Sequence, residues 1–281
     1  MCVIAAVKLP RDPQSGQPTE DAEWCMFKIR DRVYRPTYKI RTYTKGSGTS
    51  LFCVDNVTDW AEGVRVKRNG NHNIQLMTVN SALNNTVDKM SSSSLCLANG
   101  KVSRRVISEC TYKDAIKEFI DTGFDGCTLV SDGTRCTLLE QSVTPEALSK
   151  MVGDDAYELQ SQDFIRSSEE VDGYMIVRTN HGESTESGYS KKDHVNYESS
   201  LNRKATVEKY IEENVFTVDD LYDMIRYFYD LAEEVEEPYN NPIRRKDVID
   251  WRHHRKVKVF TTSAFIMYKN KVQIFLIDAD I

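Results

Sequence analysis

The second residue of the chain is a cysteine, and no other position offers as much chemistry. Once Met1 is removed, which a small second residue permits, Cys2 carries both a thiol and a free α-amine. Their reference pKa values are about 8.5 and about 8, so both titrate near neutrality. The amine can then take the thiol proton without a separate histidine, and one residue supplies nucleophile and base. Other reactive types recur in short motifs: Lys28-Ile-Arg30-Asp31-Arg32 with Tyr34 and Pro36, Val79-Asn80-Ser-Ala-Leu83, Gly126-Cys-Thr-Leu-Val130 before Asp132-Gly133, Arg178-Thr-Asn180-His181-Gly182, and Ser199-Ser-Leu-Asn-Arg203. Asparagine amides are neutral donors suited to the negative oxygen of a tetrahedral intermediate, worth about 3–4 kcal/mol for one donor. Cations such as Lys28 and Arg203 would hold Asp31 ionised and favour a thiolate. Taken singly, Cys2 is an ordinary small residue after Met1, and Asn80 and Asn180 are turn or strand-end caps.

Elements able to position these residues are legible in the pattern. Val3 to Lys8 reads as a strand beginning almost at the first residue, followed by a polar loop from Arg11 to Glu20. Short segments rich in Val, Ile, Tyr and Thr follow at Trp24 to Arg30, Tyr38 to Thr44, Leu51 to Val57, Val64 to Arg68 and Ile74 to Val79, separated by turn signals at Gly46-Ser-Gly48 and Asn69-Gly70. This is a run of antiparallel strands rather than a βαβ alternation. Beyond a polar stretch with Ser91 to Ser94, Thr111 to Ile120 places Ala115, Ile116, Phe119 and Ile120 on one helical face. Cys127 to Val130 and Cys136 to Glu140 flank the hairpin signal Asp132-Gly133, and strands are expected at Tyr157 to Leu159 and Gly173 to Thr179. Two helices, Glu198 to Glu213 and Val218 to Val235, precede a closing hairpin from Ala264 to Tyr268 and Val272 to Ile277. The order predicts an α+β chain, two antiparallel sheets packed together with helices outside, in one domain spanning 1–281.

In that order the motifs resemble the N-terminal-nucleophile hydrolases of the linear-amide type, which include choloylglycine hydrolase, penicillin V acylase and the isopenicillin N acyltransferase-like proteins. The resemblance runs from Cys2 to the closing hairpin as scattered short motifs. It implies a four-layer αββα sandwich with the terminal cysteine on a central strand, attacking an amide or related acyl bond. By the same resemblance Cys2 is the nucleophile and Asp31 the acid that contacts the terminal amine. Lys28 stands where many members have arginine, which keeps a cation in a substrate-binding place but loses the bidentate fork. Asn80 corresponds to the oxyanion donor, Asn180 to the second active-site asparagine and Arg203 to the arginine supporting the carboxylate and amine network, with His181 a candidate for touching substrate.

Composition narrows the partners. The chain has 281 residues, 40% hydrophobic and 10% aromatic, enough for a large core. A net charge of −6 gives no field to hold a polyanion, so neither nucleic acid nor a membrane surface is expected as partner. The first apolar stretch, Val3 to Val7, is too short for a signal-peptide core or a membrane span, which points to the cytoplasm. Seven cysteines without a CxxC pair fit neither a disulfide scaffold nor a zinc site; Cys25, Cys53, Cys127 and Cys136 sit in strand patterns as small hydrophobes. The basic run Arg252 to Lys258 reads as a solvated approach to a strand, and Lys45 to Thr49 as a hairpin turn rather than a phosphate loop. The expected partner is a small-molecule N-acyl amide, with no metal or organic cofactor, and the aromatic late helices leave room for homo-oligomers. Substrate specificity is expected from the loops Arg11 to Glu20 and Asn56 to Glu62. Two alternatives stay open: acyl transfer to an amine from the same site, and a non-catalytic binding or structural protein of a larger assembly that keeps the fold.

Overall fold

The β-branched and aromatic segments form strands throughout the computed structural model, which describes residues 2–32, 34–68, 73–83, 92–153, 157–183, 197–234, 248–252 and 255–277. In chain order the elements are β1 (Cys2–Arg11), β2 (Pro18–Arg32), β3 (Tyr38–Lys45), β4 (Gly48–Asp55), β5 (Ala61–Lys67), β6 (Ile74–Ser81), α1 (Ser92–Glu109), α2 (Tyr112–Thr122), β7 (Gly126–Ser131), β8 (Cys136–Val143), α3 (Pro145–Gly153), β9 (Phe164–Glu170), β10 (Met175–Arg178), α4 (Tyr197–Asn214), α5 (Val218–Glu234), β11 (Val248–Arg252), β12 (Arg255–Tyr268) and β13 (Lys271–Leu276). One sheet has the order β10-β1-β2-β12-β11, with β13 also paired to β12; the other runs β3-β4-β5-β6-β7-β8-β9. Every pairing is antiparallel.

Strand alternation divides the core into three slabs. Val3, Ala5 and Val7 of β1 with Phe27 and Ile29 of β2 pack under Val207 and Ile211 of α4 and Leu221 and Met224 of α5. Ile4 and Ala6, on the opposite face of β1, meet Met77 and Val79 of β6 and Leu129 of β7, so this slab lies between the sheets. Leu76, Val130 and Leu139 turn outward to Val106 of α1 and Ala115 and Phe119 of α2. The chain is thus α+β with two antiparallel sheets, an arrangement compatible with the expected sandwich. Among the described residues no helix is long and apolar enough to cross a membrane.

Several local expectations are corrected. Tyr157 to Leu159 is not a strand; a 3-10 turn at Ser161–Asp163 leads into β9 instead. The helix α1 was not expected: of its span the sequence reading marked only the polar stretch at Ser91 to Ser94, and its Asn99-Gly100 pair serves packing. Asn99 exchanges two hydrogen bonds with the backbone of Asp125. At Gly100 a Cβ would sit 1.7 Å from the Thr58 carbonyl oxygen, so glycine lets α1 lie directly on the β4–β5 loop. The hairpin at Lys45 to Thr49 forms as expected, with Gly46 at φ +59°. The Asn69-Gly70 turn and residues 253 and 254 of the basic run lie outside the described residues.

Arg11, at the far end of β1, closes α4. Its guanidinium donates to the carbonyls of Ile211, Glu212 and Val215 and rests on the Tyr174 and Phe216 rings. The loop that follows is therefore at the opposite end of β1 from Cys2 and does not overhang it.

Candidate active site

Cys2 opens β1, and its register partner on β2 is Arg30. Residues directly opposite on antiparallel strands project to the same side. The Cys2 side chain therefore shares the inter-sheet face with Lys28, Arg30 and Arg32, at alternate positions of β2. Asp31 points to the other face, toward α4.

On the α4 side, the backbone nitrogen of Cys2 donates to Asn180 Oδ1 at 2.6 Å. The orientation of that amide is fixed from both sides. Asn180 Nδ2 donates to Ser81 Oγ at 3.1 Å and to the carbonyl of Ala82, an acceptor that leaves no alternative to an NH₂ there. Asn180 is held in turn by Ser200, whose Oγ accepts from the Asn180 backbone N–H at 3.0 Å. Arg203, fully buried on α4, reaches Asn180 Oδ1 at 3.4 Å and Asp31 Oδ2 at 3.7 Å. Asp31 Oδ1 also accepts from Thr261 Oγ1 at 2.8 Å. Cys2, Asn180, Arg203 and Asp31 are thus joined from β1, the β10–α4 loop, α4 and β2.

Lys28 is elsewhere. Its Nζ pairs with Glu62 of β5 and lies 5.1 Å from the Trp60 ring, so it supports Glu62 rather than Asp31. Arg30 shares Glu62 through Nη2 and sits 3.8 Å from Asp55, which also takes Arg32 Nε at 3.1 Å and the Tyr34 hydroxyl at 3.0 Å. Burial pushes the Asp55 carboxyl up, but Arg30 and Arg32 outweigh it and hold Asp55 below the ordinary range. Sequence reasoning singled out neither Glu62 nor Asp55. Their one signal was the expected specificity loop Asn56 to Glu62, whose Trp60 and Glu62 lie against Lys28.

Burial raises the Cys2 thiol, yet the Lys28 cation, the chain's amino terminus and Arg32 bring it down to about 7. Burial and Arg30 push Lys28 well below its usual value, while the thiolate of Cys2 and the Asp55 carboxylate draw it back. The other buried cysteines behave oppositely: burial raises Cys25, Cys53, Cys127 and Cys136, leaving them as apolar filler.

Asn80 is not brought to this cluster. It pairs with Thr128 of β7 on the face turned to α1 and α2, where its Oδ1 accepts from Thr128 Oγ1 at 2.9 Å. Its Nδ2 is buried and has no hydrogen-bond partner among the described residues. His181 is buried with both ring nitrogens engaged: Nδ1 is 3.0 Å from Thr179 Oγ1 and 2.9 Å from Ser200 Oγ, and Nε2 is 3.3 Å from Glu183. It therefore pins the loop that carries Asn180. Among the described residues no His, Cys, Asp and Glu group could hold a metal ion. No family model matches the chain, and no curated protein matches it either.

Proposed function

We propose that the chain is a linear-amide hydrolase of the N-terminal-nucleophile type, its two sheets and flanking helices being the four-layer αββα sandwich of that group. The observation that carries this reading is the Cys2 nitrogen 2.6 Å from Asn180 Oδ1, with Arg203 and Asp31 behind it. Removing Met1 converts that nitrogen from an amide to an amine in the same place. The amine then takes the Cys2 thiol proton, and the thiolate attacks the substrate carbonyl. When the tetrahedral intermediate collapses, the C–N bond breaks and the ammonium returns the proton to the departing nitrogen. A thioester remains, and a water, deprotonated by the same amine, cleaves it to carboxylic acid and free thiol.

Asn180 serves the amine in this scheme, because both hydrogens of its amide are already donated. Asn80, on the face of β6 turned to α1 and α2, does not reach the thiol in this arrangement, so its part in the scheme is at most indirect. An amine in place of water would make the same site an acyltransferase.

Intact mass spectrometry together with turnover of an N-acyl amide panel by the parent and by Cys2→Ala tests the reading. A chain beginning at Cys2, active only with the thiol, is the expected result; unchanged turnover in Cys2→Ala overturns it. The second reading, a non-catalytic protein of a larger assembly, is favoured by Cys2 being only 2% exposed, and a retained Met1 would select it.

A further inference from the structure

Among the described residues, β2 and the β4–β5 region put more positive than negative charge on the face into which the Cys2 side chain projects, and Arg178 of β10 and Glu140 of β8 add one charge of each sign. Lys28, Arg30 and Arg32 supply three cations; Glu62 and Asp55 supply two carboxylates, all of them buried except for the 13% exposed rim of Arg32. Proton transfer between the Cys2 thiol and its amine leaves this excess unchanged, since a thiolate and an ammonium cancel. Forming a neutral thioester leaves it unchanged too. The hydrogen bonds point the same way: Arg30 is fully buried, opposite Cys2, and its Nε and Nη1 make no hydrogen bond among the described residues, Nη1 lying 3.8 Å from Asp55 and the guanidinium over the Tyr38 and Phe265 rings. Guanidinium donors that make no hydrogen bond in a buried site are costly unless an anion comes within reach of them. The planar fork of a guanidinium matches a carboxylate best.

We propose that this face receives acyl groups carrying a carboxylate, or an equivalent anion, a few bonds from the carbonyl that Cys2 attacks. The proposal rests on the Cys2 reading above and names its substrate class: half-amides of dicarboxylic acids and their relatives. Lys28 and Arg30 are then specificity-determining residues, with Arg32, nearest solvent, as the first cation an entering anion meets.

The direct test needs no turnover. The full chain is treated with iodoacetate or iodoacetamide, and alkylation rates at each cysteine are read by peptide mass mapping. Cys110 is an internal control, half-buried and beside Glu109, Asp114 and Glu118. The expected result is iodoacetate reacting at Cys2 at least as fast as iodoacetamide while Cys110 prefers the neutral reagent. In Lys28→Met, which leaves Glu62 paired to Arg30, the Cys2 ratio should fall roughly tenfold. The same ratio at Cys2 and Cys110, no alkylation of Cys2 by either reagent, or a ratio indifferent to Lys28→Met overturns the proposal; the wild-type comparison decides even where the variant does not fold. Cleavage of glutaryl p-nitroanilide in preference to hexanoyl p-nitroanilide supports it, and the reverse preference overturns it. Should neither anilide be cleaved while iodoacetate still prevails at Cys2, the anion-selective face stands and the hydrolase reading falls.

Discussion

At the residue scale, the thiol of Cys2 is lowered from its ordinary value to about 7, so its thiolate is populated above that pH and lost as pH falls through it. Alkylation of Cys2 should therefore rise through a midpoint near 7 and level off above it. Lys28 heads the groups that lower this thiol against burial, so Lys28→Met should move the midpoint upward by about one unit, as a pH series of alkylation rates would register. Two asparagines separate by the same reasoning. Asn180 touches the Cys2 nitrogen and Asn80 does not, so Asn180→Ala should cost about 100-fold in turnover, with a smaller loss for Asn80→Ala. An equal or greater loss for Asn80→Ala would return the larger share of the chemistry to Asn80. Cys2, Asp31, Asn180 and Arg203 were legible because motif order marks them. Ser81, which orients the Asn180 amide, was not legible, since a serine on a strand announces no partner 99 positions away.

Elements were legible where period and turn chemistry agreed. The α2 segment buries Ala115 and Phe119 as its spacing predicts, and Asp132-Gly133 turns β7 into β8. The first helix was not, because what Asn99 and Gly100 serve is tertiary, the one holding the Asp125 backbone and the other admitting the Thr58 carbonyl. Gly100→Ala tests this: a Cβ 1.7 Å from the Thr58 oxygen must push α1 off the loop between β4 and β5. Overpacking at a site bounded by backbone predicts a loss of about 2–3 kcal/mol in denaturant melts. Stability equal to the parent would mean that α1 does not press on that loop. Since the loop leads into Glu62, the same variant should also disturb the Cys2 ratio of the two alkylating reagents.

For the molecule as a whole, the two sheets meet across an apolar slab at one end of β1 and across paired charges at the other. Ile4, Ala6, Met77 and Leu129 fill the first part; Lys28, Arg30, Glu62 and Asp55 fill the second. Apolar alternation was visible along each strand. The charge pairing was not, because β2 brings the cations and the β4–β5 region the carboxylates, and only the stacking of sheets puts them in contact. A buried pair stabilises little compared with an apolar replacement, but breaking one leaves an uncompensated charge and costs about 3–5 kcal/mol. Glu62 is fully buried and serves two cations at once, so Glu62→Gln removes the anion while keeping the shape. Urea melts at neutral pH should show a loss of about 3 kcal/mol or more. Adding Lys28→Met to Glu62→Gln removes one of the two stranded cations and should recover part of that loss. Strict additivity of the two losses would mean that Lys28 and Glu62 are not coupled across the sheets.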